Sequence, residues 1–111
     1  MTRKLIQLCR GLGEREFDTR ETLQLLQRYQ FRFWSWGGNG FTNLENKGLL
    51  FKVQGHHHKG YVLITLGYDD TYKVHIISTQ GNVKDTYEGI YFDMLFETID
   101  NRIERIDEYV V

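Results

Sequence analysis

The chain has no proline, a single cysteine and no apolar run near the roughly 18 residues that a membrane span requires. With Cys9 alone, neither an intramolecular disulfide nor a Cys-rich zinc site can form, and a free thiol suits a reducing compartment. Arg3 and Lys4 precede an apolar stretch, but Gln7 and Arg10 interrupt it, so it does not read as a targeting leader. The expectation is a cytoplasmic protein without membrane association. Repeats and low-complexity tracts are lacking as well.

Catalytic patterns are equally sparse. Ser35 and Ser78 do not sit in a nucleophile elbow, and Gly37, Gly38 and Gly40 follow a strand-like segment without opening a helix, as a phosphate-binding loop would. Cys9 falls on an apolar helix face. Asp69 and Asp70 are neighbours in a turn, where side chains diverge, whereas an acid–base dyad needs convergence across a cleft. These absences predict a non-enzymatic protein with no cofactor.

What is present is the pattern of one domain spanning residues 1–111, since a chain of 111 residues that is 41% apolar can bury one modest core. Residues 2–12 place Leu5, Leu8, Cys9 and Leu12 at helical spacing, with Gly11 and Gly13 as stop signals. Asp18, followed three residues later by Glu21, forms an Asp version of the capping box and starts a second helix that ends near Tyr29, with Leu23, Leu25 and Leu26 on its buried side. Residues 30–36 alternate Phe31, Phe33 and Ser35 with Arg32, Trp34 and Trp36, which predicts the first strand. Gly37, Gly38, Asn39 and Gly40 then open a flexible loop reaching Gly48.

Alternation predicts further strands over 49–54, 61–66, 71–77 and 83–87, joined by turns at 55–60, 69–70 and 80–82. Connections this short forbid a parallel crossover, so the sheet is an antiparallel meander. Over 91–109, Phe92, Leu95, Phe96, Ile99, Ile103 and Ile106 recur at steps of three and four, while Glu97, Asp100, Glu104 and Arg105 look outward. The expected fold class is α+β: one or two N-terminal helices, a four- to five-stranded antiparallel meander, and a C-terminal amphipathic helix packed on one sheet face.

Charge is unevenly placed along this order. Residues 1–55 carry nine Lys or Arg against five acids, and residues 56–111 carry five against ten, so the halves are about +4 and −5. The closing helix should present an acidic outer face, which solubility alone explains. Nucleic acid wrapping the whole surface is disfavoured, but a local basic face is not.

Two residue groups carry candidate binding chemistry. If Trp34 and Trp36 point away from the helices, they share an open face with Arg32, Lys52, Gln54, Lys73 and His75. Flat rings beside cations suit single-stranded nucleic acid, each stacked base being worth about 1–3 kcal/mol. Against this, strand aromatics are more often core. An exposed aromatic sheet face also invites cover by a second copy, so a homodimer through that face is the leading alternative. The second group is His56, His57 and His58, whose imidazoles suit zinc, nickel or copper. Adjacent side chains in extended backbone diverge, so only His56 and His58 could chelate together, with His75 as third ligand if its strand ends beside the turn. A solvated hairpin turn is the plainer account.

The blocks 31–37 (FRFWSWG), 48–66 (GLLFKVQGHHHKGYVLITL) and the helical segment 91–106 together resemble a family of small uncharacterised bacterial proteins. The resemblance covers about three quarters of the chain. It implies a cytoplasmic protein with a regulatory or interaction role and transfers no catalytic, ligand or partner residue. The sequence thus predicts a binding or interaction module whose contact surface comprises Arg32, Trp34, Trp36, Lys52, Lys73 and His75, with an unidentified protein, a second copy or single-stranded nucleic acid as the partner.

Overall fold

The computed structural model describes residues 3–29, 36–55 and 57–103. Two helices, α1 (Arg3–Leu12) and α2 (Thr19–Gln27), lead into β1 (Asn39–Asn43), β2 (Leu49–Gln54), β3 (Lys59–Leu66), β4 (Tyr72–Ser78) and β5 (Val83–Ile90). A single 3-10 turn (Phe92–Met94) then runs into α3 (Leu95–Ile103). All strand pairs are antiparallel and the order is β1-β2-β3-β4-β5, so the α+β meander and its closing helix are as the periodicity predicts. The expected helical residues beyond Ile103, including Glu104, Arg105 and Ile106, lie outside the described residues.

The start of the sheet differs from expectation. Residues 30–35, the bulk of the anticipated first strand, lie outside the described residues, and Trp36 already belongs to a turn. The glycine-rich stretch read as a loop instead holds β1. Gly37 and Gly40 both adopt φ near +64°, bending the backbone into the ladder, and Phe41 then stacks on Phe51 with ring centroids 5.1 Å apart. Glu45 and Asn46 follow with φ of 55° and 61°, and Lys47 N–H donates to the Leu44 carbonyl at 2.9 Å, closing a tight turn of the type whose twist matches paired strands.

Asp18 caps α2 as anticipated, accepting from the Glu21 amide at 3.1 Å. The main core lies on the sheet face formed by Leu49, Phe51, Val53, Val62, Ile64, Leu66, Tyr72, Val74 and Ile76. Against it pack Leu25 and Leu26 of α2 and Leu95, Phe96, Ile99 and Ile103 of α3, whose heptad-like recurrence set this stripe. One residue of that helix breaks the outward prediction: Asp100 is buried, because its carboxylate accepts the Trp36 indole N–H at 2.8 Å.

The opposite face is not left open by the helices. There α1 lays Leu5 and Cys9 over Leu44, Leu50, Leu63 and Ile77. Residues 13–17 carry the chain around the end of the sheet from one face to the other. They are pinned by Arg15 N–H to the Leu66 carbonyl (3.4 Å), Phe17 N–H to the Asn46 carbonyl (2.7 Å) and the Tyr68 hydroxyl donating to the Glu14 carbonyl (2.8 Å). Among the described residues, no helix is long and apolar enough to cross a membrane.

Candidate functional site

Antiparallel register decides which side chains share the α1 side of the sheet. Leu50, Leu63, His75 and Thr86 stand opposite one another across β2 to β5, and Lys52, Tyr61, Ile77 and Val83 form the adjacent row. Thr65 opposes Lys73. Lys52, Lys73 and His75 therefore do share a face, as alternation predicts, but they differ in what they can reach.

Lys52 is half-buried and makes no ion pair among the described residues. Lys73 is engaged: its Nζ lies 2.6 Å from Glu14 Oε2 and 3.5 Å from Glu88 Oε1. The hydrogen bond to Glu14, reinforced by both carboxylate charges, raises its pKa. His75 is only 4% exposed, with Nε2 3.4 Å from Thr65 Oγ1 and Nδ1 3.2 Å from Thr86 Oγ1. Burial and then the nearby Lys73 charge hold this imidazole below its ordinary pKa of 6.5, so it is a neutral, threonine-paired ring rather than a contact residue.

Trp36 is not on this face at all. It is fully buried beneath α3, stacked on Phe96 with centroids 4.7 Å apart, and its indole N–H is taken by Asp100. The aromatic part of the expected surface loses this member because a large ring gains most by entering the core. Arg32 and Trp34 lie outside the described residues.

The histidine trio also comes apart. His56 lies outside the described residues; His58 is buried at the α3 end near Arg102, whereas His75 faces the α1 side. No three His, Cys, Asp or Glu side chains converge on a metal-sized site among the described residues. Cys9 is buried under α1 and its thiol pKa is pushed up to about 11, which leaves it protonated and shielded from reagents.

What the α1 side does gather is positive charge. Arg3, Lys4, Lys47, Lys52 and Lys59 belong to α1, to the β1–β2 turn and to the register positions of this face, and none of them forms an ion pair among the described residues. Alongside α1 runs an open groove of about 460 Å³ whose described lining is Arg3, Ile6, Gln7 and Arg10. Arg10 reaches Glu45 at 3.4 Å, a pair exposed enough to exchange with another anion. Sequence reasoning passed over these groove residues. Their spacing of three, four and seven along one side of α1 was the available signal. The two edges of the sheet, by contrast, are both interrupted by register shifts, once in β1 and twice in β5, and bulged edges resist strand addition.

No protein-family model, curated protein or solved structure matches this chain.

Proposed function

We propose that this protein is a non-enzymatic binding module that receives an anionic partner on the α1 side of its sheet. The observation that carries the reading is the groove along α1 flanked by Arg3 and Arg10, on a side of the sheet where Arg3, Lys4, Lys47, Lys52 and Lys59 form no ion pair among the described residues. Cations left without carboxylate partners raise the local potential and draw in anions. The half-buried Tyr61 in the Lys52 row adds a flat, partly apolar surface. On the other side, the described part of α3 and its lead-in carry Asp93 and Glu97, while Arg102 is held by Asp85, so that side offers the same partner no free cation among the described residues of the helix.

The test uses a labelled single-stranded oligonucleotide as the probe, titrated by fluorescence anisotropy over a range of salt concentrations. Binding should weaken steeply with salt, and Lys52→Gln should reduce the log–log slope by about 0.7, the share of one phosphate contact. Absence of binding at low salt, or binding indifferent to salt and to Lys52, overturns the proposal. Sedimentation of the protein alone reads the competing homodimer, which would bury this surface and abolish oligonucleotide binding as concentration rises.

A further inference from the structure

The β2–β3 connection is more than a turn, because it is fastened to the last turn of α3. Gly55 N–H donates to the His58 carbonyl at 3.0 Å and closes the loop on itself. His57 N–H then donates to the Ile103 carbonyl at 2.8 Å, tying the turn to the backbone of α3. Arg102 returns the contact, donating from Nη1 to the His57 carbonyl at 3.2 Å, while its Nε and Nη2 each lie 2.9 Å from Asp85 Oδ2 on β5. Three elements thus meet at one point.

The His58 imidazole sits inside this junction, 3% exposed. Its Nε2 is 3.3 Å from the Tyr61 carbonyl, so the neutral ring carries its proton there, and the buried Nδ1 has no hydrogen-bond partner. The ring occupies the space that a side chain at residue 60 would claim: a Cβ on Gly60 would stand 3.1 Å from two of its ring atoms and collide with the Ile77 carbonyl. Gly60 therefore leaves the room that the ring occupies, and its φ of 154° is one that other residues rarely take.

A second proton on His58 has nowhere to go. It would add a donor at Nδ1 with no acceptor, in a site already faced by Arg102 from α3 and Lys84 from β5. The carboxylate of Asp85 is engaged by Arg102, and His57 and Lys59 flank the ring along the chain, so among the described residues no acid of the junction is free to compensate. We propose that the β2–β3 turn and the C-terminal end of α3 form an acid-sensitive latch, closed while His58 is neutral and released when His58 takes up a proton. Burial, with the Arg102 and Lys84 charges adding to it, outweighs the opposing pull of the Tyr61 and Ile77 carbonyls and holds this imidazole below its ordinary 6.5.

The sign follows from linkage. With the latch open, His58 is hydrated and binds a proton near its ordinary value, whereas with it closed it binds one less readily. The latch is therefore fully stabilised above pH 6.5 and weakens as pH falls from there toward the depressed value of the closed form. The test is amide hydrogen exchange of the whole chain, read by NMR as protection factors. Below pH 6.5 the His57 amide should lose protection by up to about tenfold per pH unit, the signature of one proton. The Val74 amide in mid-sheet opens only with the sheet, so it should stay more strongly protected than the His57 amide at every pH, with a pH dependence that includes the His75 contribution. His58→Gln, which keeps a donor for the Tyr61 carbonyl but cannot titrate, should flatten the His57 response. If the His57 amide shows the same protection as Val74 at every pH, so that it opens only with the sheet, or if it stays flat below pH 6.5, the latch is refuted. The ring titration of His58 in the wild-type protein gives a reading that does not depend on the variant folding, and a midpoint at or above 6.5 overturns the proposal.

Discussion

The two faces of this sheet are built by different rules. On the α2/α3 face, sixteen buried residues among those described form one apolar cluster, and Phe96 stacks on both Tyr29 (3.9 Å) and Trp36 (4.7 Å). On the α1 face only six form a cluster, and beside it lie a threonine-paired histidine, an ion-paired lysine and unpaired cations. Apolar burial is the dominant favourable term in folding, so the first face should hold the fold together. The second contributes less stability and keeps its polar groups within reach of a partner. A surface serving both purposes equally would have to desolvate its own charges.

The largest expected effect tests that division directly. Phe96→Ala should cost about 3–5 kcal/mol, since it removes a fully buried ring and two stacked contacts at once. Leu5→Ala on the thinner face should fall toward the lower end of the roughly 2–5 kcal/mol spanned by buried leucines, because it packs in the smaller cluster. Urea unfolding of both variants settles the ranking, and equal losses would show the faces to be energetically alike. Next in size is Asp100→Ala. It removes the carboxylate that accepts the buried Trp36 indole N–H, at a cost of about 1–3 kcal/mol. Tryptophan emission followed through the same unfolding curves reports whether the indole stays enclosed in the folded variant.

The comparison of faces also explains what could be read in the sequence. Strands β2 to β5 were legible because their alternation and short polar turns admit few arrangements. Within β2, β3 and β4, however, both parities are apolar: Leu49, Leu50 and Phe51; Val62, Leu63 and Ile64; Ile76 and Ile77. Strands read this way when both faces are covered, a signal that the expectation of an open face overlooked. The helical spacing of Leu5 and Cys9 could not say which face α1 takes, because periodicity marks a stripe and not its destination. β1 was missed since glycines at 37, 38 and 40 read as freedom, although at 37 and 40 they supply the positive φ that turns the chain into the ladder. Asp100 was assigned outward on its charge, with no local signal that a tryptophan 64 residues earlier would meet it. For the same reason a contact surface including Trp36 and His75 was plausible from alternation and yet fails once burial is known.

The smallest effect separates the two buried histidines, one on each side of the molecule. Both imidazoles are held below 6.5 by burial, so the unfolded chain binds more protons than the folded one once pH drops under that value. Stability should be complete above pH 6.5 and decline below it, by up to about 1.4 kcal/mol per pH unit for each histidine that remains neutral in the folded state. The two contributions should not persist equally. Once the latch at the end of α3 opens, His58 is protonated in the folded protein and stops adding to the slope. His75 is locked between Thr65 and Thr86 inside the ladder and stays neutral until the strands part. Urea midpoints measured at stepped pH should therefore show His58→Gln altering the curve only in the first part of the decline. His75→Gln should lower the slope throughout, and identical curves for the two variants would erase the distinction between a local latch and a global anchor.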